Sequence, residues 1–179
     1  MEEFYVYHVV TEREMVEGQV VVFDESNHNG VYNRVKACMD YLEGKEDEES
    51  LKNLVSSNLD TWKKVAYREL ALEKVRREEF NDYPSRMACL YVSESYEDAL
   101  TWATSFLQMG RKVFSIVKLK VKGRMFAGNA FNCFEGKEND SEWNEKKARK
   151  YWQNAKNKEL LYEYLVDGEI LVESIMKTF

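Results

Sequence analysis

Proline, cysteine and long apolar runs are all scarce in this sequence. The 179 residues include one proline, Pro84, and eight glycines, while 13% of the residues are aromatic. This composition excludes a collagen-like, low-complexity or intrinsically disordered chain. No run of about 18 apolar residues is present, so we expect no membrane-spanning helix. The acidic start Met1-Glu2-Glu3 lacks the basic residues of a secretory signal, and we expect a cytoplasmic protein.

The few potential metal ligands also limit the possible chemistry. Cys38, Cys89 and Cys133 are odd in number and widely spaced, which argues against a disulfide framework and a zinc knuckle. His8 and His28 are the only histidines. We therefore interpret the cysteines as reduced structural thiols and expect no metal site.

Charge and length narrow the class of protein further. The chain has 26 basic and 32 acidic residues and a net charge of −6. This argues against a broad nucleic-acid-binding surface, which would need many cations to neutralise phosphates, but it leaves room for a small basic pocket. The length fits a single domain spanning residues 1–179. The oligomeric state stays open.

The hydrophobic pattern predicts an α+β fold, with six or so strands and about four helices. The predicted strands are Phe4–Val10, Gln19–Phe23, Met87–Ser93, Val113–Val121, Leu160–Val166 and Ile170–Met176, and the predicted helices are Val31–Leu42, Ser57–Phe80, Tyr96–Met109 and Glu142–Lys156. No repeated strand–helix–strand rhythm is present, so we do not expect a doubly wound parallel sheet. Asp167-Gly168 between two apolar runs is typical of an antiparallel hairpin.

The connecting segments carry no familiar phosphate or catalytic motif. We expect the acidic stretch Glu43–Ser50 to be a solvated loop and Met125–Glu135 to be irregular, and Asp60 is a candidate N-cap for the longest helix. GxGxxG, GxxxxGK[ST], HExxH and GxSxG are all absent from the sequence.

Three charged or titratable residues stand out against apolar surroundings. His8 lies in the middle of the first strand, either as a satisfied core residue or as a functional one. Arg68 shares a helix stripe with apolar residues, so its guanidinium must be paired or face a pocket. An ion pair of Arg68 with Glu69 or Glu73 is not expected, because of the helix geometry. Glu163 sits in a strand between leucines, which places it at a sheet edge or in a site.

Other candidates have a structural explanation beside the functional one. Arg86, just before a strand, is either a solvated turn arginine or a pocket residue. Tyr91 and Trp102 are core residues or a platform for a ligand ring. Tyr151 and Trp152 fit a packing role.

Three segments together resemble the ADP-ribosyltransferases, most closely the poly-ADP-ribose polymerase and diphtheria-toxin type. Tyr5-Val6-Tyr7-His8-Val9-Val10 resembles the first strand of that class, which carries its histidine, and Leu90-Tyr91-Val92-Ser93 resembles the middle strand, which carries its tyrosine. Glu163-Tyr164-Leu165-Val166 resembles the C-terminal strand with its glutamate. His8, Tyr91 and Glu163 thus follow the order of the His–Tyr–Glu triad. Val9 stands where the class usually has a glycine.

The whole chain also resembles a small uncharacterised bacterial family thought to share this fold. The recurring pieces of that family include Tyr67-Arg68-Glu69, Ser85-Arg86 and Tyr151-Trp152. The resemblance implies an ADP-ribosyltransferase-like split, with mostly antiparallel sheets and flanking helices.

The resemblance to the ADP-ribosyltransferases also implies a function. It implies NAD as the substrate, with Glu163 stabilising the oxocarbenium-like transition state as nicotinamide leaves. It places His8 at the adenosine ribose, and Tyr91 with Trp102 at the nicotinamide ring. Because guanidinium groups match phosphate geometry, we expect Arg68 or Arg86 at the pyrophosphate. The acceptor of ADP-ribose is not indicated.

Three alternatives stay open. The chain could be a catalytically silent member of this fold that binds a nucleotide or a protein partner, an option that Val9 favours. It could be a structural or interaction protein in which Glu163 is an edge charge. An RNA 2′-phosphotransferase on the same fold would require a denser basic lining than a net charge of −6 suggests.

Overall fold

The protein has an α+β architecture with antiparallel sheets. The computed structural model describes residues 3–54 and 59–179. Its strands are β1 (Glu3–Val10), β2 (Val20–Phe23), β3 (Leu90–Val92), β4 (Ser115–Lys122), β5 (Met125–Asn129), β6 (Tyr162–Val166) and β7 (Gly168–Thr178). Its helices are α1 (Gly30–Leu42), α2 (Glu48–Leu54), α3 (Leu59–Glu79), α4 (Tyr96–Gln108) and α5 (Ser141–Trp152), and a short 3₁₀-helix covers Ala130–Asn132. No helix within the described ranges combines the length and apolarity needed to cross a membrane.

The chain divides into two compact units. Unit 1 contains the described residues up to Asn27, together with Cys89–Ala127 and Glu163–Phe179. Unit 2 contains the described residues of His28–Ala88, together with Gly128–Tyr162. Each unit is thus assembled from segments that are separated in the sequence, and the single domain expected from chain length stays a prediction.

Unit 1 is built on two sheets. The larger has the strand order β1-β4-β7-β2 and the smaller has the order β3-β6-β5. The pairs β1–β4, β4–β7, β2–β7 and β3–β6 are all antiparallel. Alternating apolar residues from both sheets form one core cluster, because every second side chain of a strand points to the same face. Its buried members are Val6, Val10, Val92, Val117, Leu119, Val121, Val166, Ile170 and Val172.

Helix α4 covers the other face of β1 and β4. Its buried residues Ala99 and Ala103 pack with Val9 of β1 and Ile116 of β4. The Ser95 side chain caps the N-terminus by accepting a hydrogen bond from the backbone N–H of Asp98. Gly110, at a φ of +74°, follows the last turn of the helix.

Unit 2 is helical and centred on α3. Helices α1 and α5 both pack against α3. The indole N–H of Trp152 on α5 donates to the carbonyl of Leu72 on α3 at 2.8 Å, and both side chains are buried. Tyr151 and Trp152 therefore have the packing role expected for them.

The predicted hairpin at Asp167-Gly168 is wrong. Strand β6 pairs with β3 in the smaller sheet, whereas β7 pairs with β4 and β2 in the larger one. The turn therefore carries the chain from one sheet to the other. The Asp167 carboxylate accepts hydrogen bonds from the backbone N–H of Arg124 at 3.1 Å and from its Nε at 3.0 Å, which fixes this crossing to the β4–β5 connection.

Some predicted boundaries also differ. The end of the predicted acidic loop overlaps α2, which begins at Glu48, and the segment expected to be irregular contains β5. Strand β3 has only three residues, fewer than the apolar run suggested. The helix start predicted at Ser57 lies outside the described residues. Asp60 lies within α3 and is not the N-cap.

Candidate functional site

Strands β1 and β3 meet at a single bridge and then diverge. Tyr7 and Ser93 exchange two backbone hydrogen bonds, at 2.9 and 2.7 Å. Beyond this bridge β1 stays with β4, where Val9 pairs with Ile116. A continuous antiparallel ladder would next pair Val9 with Tyr91, two residues further along each strand. The two sheets of unit 1 therefore separate immediately after the Tyr7–Ser93 bridge.

The His8 side chain lies at the point of separation. Its Nδ1 is 2.7 Å from the backbone carbonyl oxygen of Tyr91. A carbonyl can only accept, so Nδ1 carries the proton and donates, and in the neutral ring Nε2 is left as an acceptor. If the β1–β3 ladder continued, the Tyr91 carbonyl would accept a backbone hydrogen bond from β1. The His8 imidazole supplies a hydrogen bond to this carbonyl instead.

The surroundings of His8 favour the neutral ring. Burial lowers the pKa of His8 below its usual value, although the hydrogen bond to Tyr91 and the charge of Glu12 oppose the shift. Desolvation disfavours the imidazolium because a charged ring loses more hydration than a neutral one. His8 therefore offers an acceptor nitrogen to a hydroxyl group near neutral pH.

Glu163 lies on the neighbouring strand, on the far side of β3. The β3–β6 register pairs Tyr91 with Leu165 and Val92 with Tyr164, and one further step places Ser93 opposite Glu163. The Glu163 side chain is partly exposed, whereas Ser93 is only 5% exposed. The junction of β1, β3 and β6 thus brings the strand positions of all three triad residues close together.

The side chains of the triad leave the sheets on two faces. Tyr164 packs against the core between the sheets, so strand alternation places Glu163 on the opposite face of β6. Tyr91 shares that face, since Tyr91 and Leu165 are directly opposite each other. His8 lies between Val6 and Val10, both of which face the core between the sheets. Tyr91 and Glu163 therefore share one face, whereas the His8 side chain lies on the core side and is held to the backbone carbonyl of Tyr91.

Val9 and Trp102 lie on the α4 side of β1. The Val9 side chain is buried against Ala99 and Ala103, on the strand face opposite to His8. Trp102 packs against the same cluster, with its ring centroid 5.7 Å from that of Phe106. A valine at the position of the expected glycine is thus accommodated in the α4 core.

Arg86 belongs to unit 2 and is 6% exposed. Its Nε donates to Glu69 Oε2 at 3.0 Å, and its Nη1 donates to the Tyr151 hydroxyl at 2.7 Å. The guanidinium carbon also lies 5.0 Å from the centroid of the Tyr151 ring. Arg86 therefore connects α3 and α5 from a buried position, which is different from a solvated turn arginine.

Arg68 is bound to the adjacent Glu69, and the expectation that these two would not pair is wrong. Arg68 Nε and Nη2 lie 2.9 and 2.8 Å from Glu69 Oε1. Consecutive side chains diverge on a helix, but the long arginine side chain is able to reach back to its neighbour's carboxylate. Burial raises the pKa of Glu69, and the charges of Arg86 and Arg68 outweigh that effect and hold it below its usual value.

A second buried glutamate lies one turn further along α3. Glu73 accepts from Arg76 Nη2 at 2.8 Å and from the Ser85 hydroxyl at 2.7 Å. It also pairs with Arg77, four residues further along the helix, at 2.7 Å. Glu69 and Glu73 together hold the segment Ser85-Arg86 to α3.

Sequence reasoning missed Glu69 as the centre of this cluster. The signal available was the set of pieces Tyr67-Arg68-Glu69, Ser85-Arg86 and Tyr151-Trp152, which the structure brings together in unit 2. Across the two described stretches of chain, no group of three or more histidine, cysteine or acidic side chains is arranged to hold a metal ion.

The protein is therefore an α+β protein with two antiparallel sheets. It has a strand junction of β1, β3 and β6 in unit 1 and a buried arginine–glutamate network in unit 2. Residues 6–178 match the model of the family described as "Protein of unknown function (DUF2441)". Because the match covers nearly the whole chain, the protein belongs to this family. No curated protein matches the chain.

Proposed function

We propose that this protein is an NAD-dependent ADP-ribosyltransferase whose key carboxylate is Glu163. The observation that supports this proposal is the junction of β1, β3 and β6, where His8 binds the Tyr91 carbonyl and Glu163 lies next to β3. The three residues that resemble the His–Tyr–Glu triad are distant in sequence and occupy neighbouring positions on β1, β3 and β6.

Each residue has a chemical role that suits its position. The Glu163 carboxylate accepts a hydrogen bond from a ribose hydroxyl and stabilises the positive charge that develops on the ribose as nicotinamide leaves. The Tyr91 ring, on the same face as Glu163, offers a surface on which nicotinamide stacks. His8 Nε2 accepts a hydrogen bond from the adenosine ribose. Trp102, Arg68 and Arg86 are not needed for this core proposal.

The test is nicotinamide release from NAD by the purified 179-residue chain, alone and with cell extract as a source of acceptors. We expect Glu163→Gln to lower the release rate by about 100-fold or more, because the neutral amide does not stabilise the positive charge. Glu169→Gln is the matched control, since Glu169 is also a strand glutamate but is exposed on β7. It should retain the wild-type rate.

Calorimetric titration with NAD and with ADP-ribose separates the alternatives. Binding without nicotinamide release would identify a catalytically silent protein that uses the same site, as the Val9 substitution for glycine would suggest. A wild-type protein that neither binds NAD nor releases nicotinamide would contradict the proposal.

A further inference from the structure

The cluster around Glu69 holds more positive charge than its carboxylate neutralises. Two guanidinium groups, those of Arg68 and Arg86, converge on this one carboxylate, which is 1% exposed. Lys64, one turn before Arg68 on α3, is paired with Glu135 at 2.8 Å, and Glu135 also interacts electrostatically with Arg68. Lys64 also faces the charge of Asp60. Within the hydrogen-bonded group itself, the two guanidinium groups of Arg68 and Arg86 share the single carboxylate of Glu69.

Arg86 alone is sufficient to balance Glu69. It is buried, it bonds both carboxylate oxygens, at 3.0 and 3.5 Å, and its remaining terminal nitrogen holds the Tyr151 hydroxyl. A buried ion pair of this kind needs one partner of each sign, and an additional cation adds a desolvation cost without a charge to offset it. Arg68 is therefore the surplus cation of the cluster.

The Arg68 guanidinium has one edge bound and one edge available. Its Nε and Nη2 face Glu69 Oε1, which uses the side edge of the group. Nη1 also contacts the Phe134 carbonyl, at 3.5 Å. Of the five N–H donors of the guanidinium, two face Glu69 and one faces Phe134, which leaves one donor on Nη1 and one on Nη2. The Arg68 side chain is 22% exposed.

The backbone beside Arg68 is held rigidly in place. The N–H of Gly136 donates to the Lys64 carbonyl at 3.0 Å, and a side chain at Gly136 would collide with the α3 backbone, 2.8 Å from the carbonyl carbon of Tyr67. The segment around Phe134 and Gly136 therefore lies directly against α3 beside Arg68. Glu69 fixes the other side of the guanidinium, so its free edge is preorganised.

We propose that the Nη1–Nη2 edge of Arg68 binds a phosphate group of a small-molecule ligand. A planar fork with two parallel N–H donors matches two oxygens of one phosphate, and the surplus charge of the cluster matches its negative charge. This site stands on the charge and geometry of unit 2 and does not depend on the chemistry proposed for Glu163.

Binding of inorganic phosphate and of pyrophosphate is the direct test, measured by calorimetry and by the thermal midpoint of unfolding at constant ionic strength. We expect saturable binding to the wild-type chain, and a loss of at least about tenfold in affinity for Arg68→Gln, since charge-assisted bidentate bonds are among the stronger hydrogen bonds. The Arg68→Gln variant should fold, because Arg86 still neutralises Glu69. Circular dichroism establishes whether it does.

Two further variants make the test specific. Arg111→Gln removes an exposed arginine of unit 1 and should bind both anions like the wild type. Arg68→Lys keeps the charge but loses the fork, and should bind more weakly than the wild type. The proposal is overturned if neither anion binds, if Arg68→Gln binds as well as Arg111→Gln, or if Arg68→Lys matches the wild type. None of these results would alter the test of Glu163.

Discussion

His8 and Glu69 are two titratable residues in largely apolar surroundings, and they are accommodated in opposite ways. His8 is held by the carbonyl of Tyr91, a neutral acceptor, and burial lowers its pKa. Glu69 is held by two guanidinium groups that keep it ionised. An isolated buried charge is costly, so each residue takes the protonation state that its partners stabilise. At the residue scale, the pKa directions of the two sites follow from the chemistry of their partners.

The pKa of His8 makes stability depend on pH. Because the folded-state pKa lies below the unfolded value of about 6.5, the unfolded chain takes up the proton first as pH falls. The contribution of neutral His8 is therefore complete above about pH 6.5 and is lost as pH falls through the folded-state pKa. We expect the urea-unfolding free energy of the wild type to decline between about pH 7 and pH 5 in part for this reason.

His8→Gln should flatten that decline, because glutamine retains N–H donors and does not titrate. His28→Gln is the control, since His28 is the other histidine and its ring stacks on that of Tyr32, with the centroids 3.8 Å apart. Unfolding curves for the three proteins at each pH supply the comparison. An equal pH dependence in the wild type and His8→Gln would show that His8 is not the group responsible.

At the scale of elements, local patterns were predictable and long-range pairing was not. The apolar face of α4 and the alternation in β4 depend on neighbours within a few residues, and both elements formed as predicted. Asp167-Gly168 has the composition of a hairpin, but its strands find partners in different sheets. The His8–Tyr91 bond joins residues 83 positions apart, and no local pattern indicates it. The strands of the candidate site were therefore predictable, while its contacts were not.

Gly168 lies where the chain passes from the smaller sheet to the larger one, and we expect any side chain at this position to destabilise the fold. Gly168 has a φ of +88°, and a Cβ there would collide with the Lys122 carbonyl oxygen and lie 2.8 Å from the Cα of Gly123. We expect Gly168→Ala to lower the unfolding free energy by at least about 2 kcal/mol, from backbone strain and overpacking together.

Gly110→Ala separates the two causes, because Gly110 has a similar φ of +74° with nothing within 4 Å of the added Cβ. Gly110→Ala should lower the unfolding free energy only by the backbone strain, about 1 kcal/mol. Urea unfolding measures both variants. Equal losses would indicate that the close approach to Lys122 and Gly123 does not contribute.

At the scale of the whole molecule, the connectivity links the two units. The segment from His28 to Ala88 leaves after β2 and returns at β3, and the segment from Gly128 to Tyr162 leaves within β5 and returns at β6. If unit 2 alone unfolded, these segments would become two long loops closed by the strands of unit 1. Closing such loops has an entropic cost that opposes partial unfolding. The connectivity thus favours one cooperative transition.

The four tryptophans allow this cooperativity to be measured, because Trp102 lies in unit 1 and Trp62, Trp143 and Trp152 lie in unit 2. With 5-fluorotryptophan incorporated, ¹⁹F NMR follows each ring separately through a urea titration, and Trp102→Phe assigns the resonance of unit 1. We expect all four unfolding midpoints to coincide, as two-state behaviour requires when different probes report on one transition. A Trp102 midpoint separated from a common midpoint of the other three would instead identify the units as two independently unfolding domains.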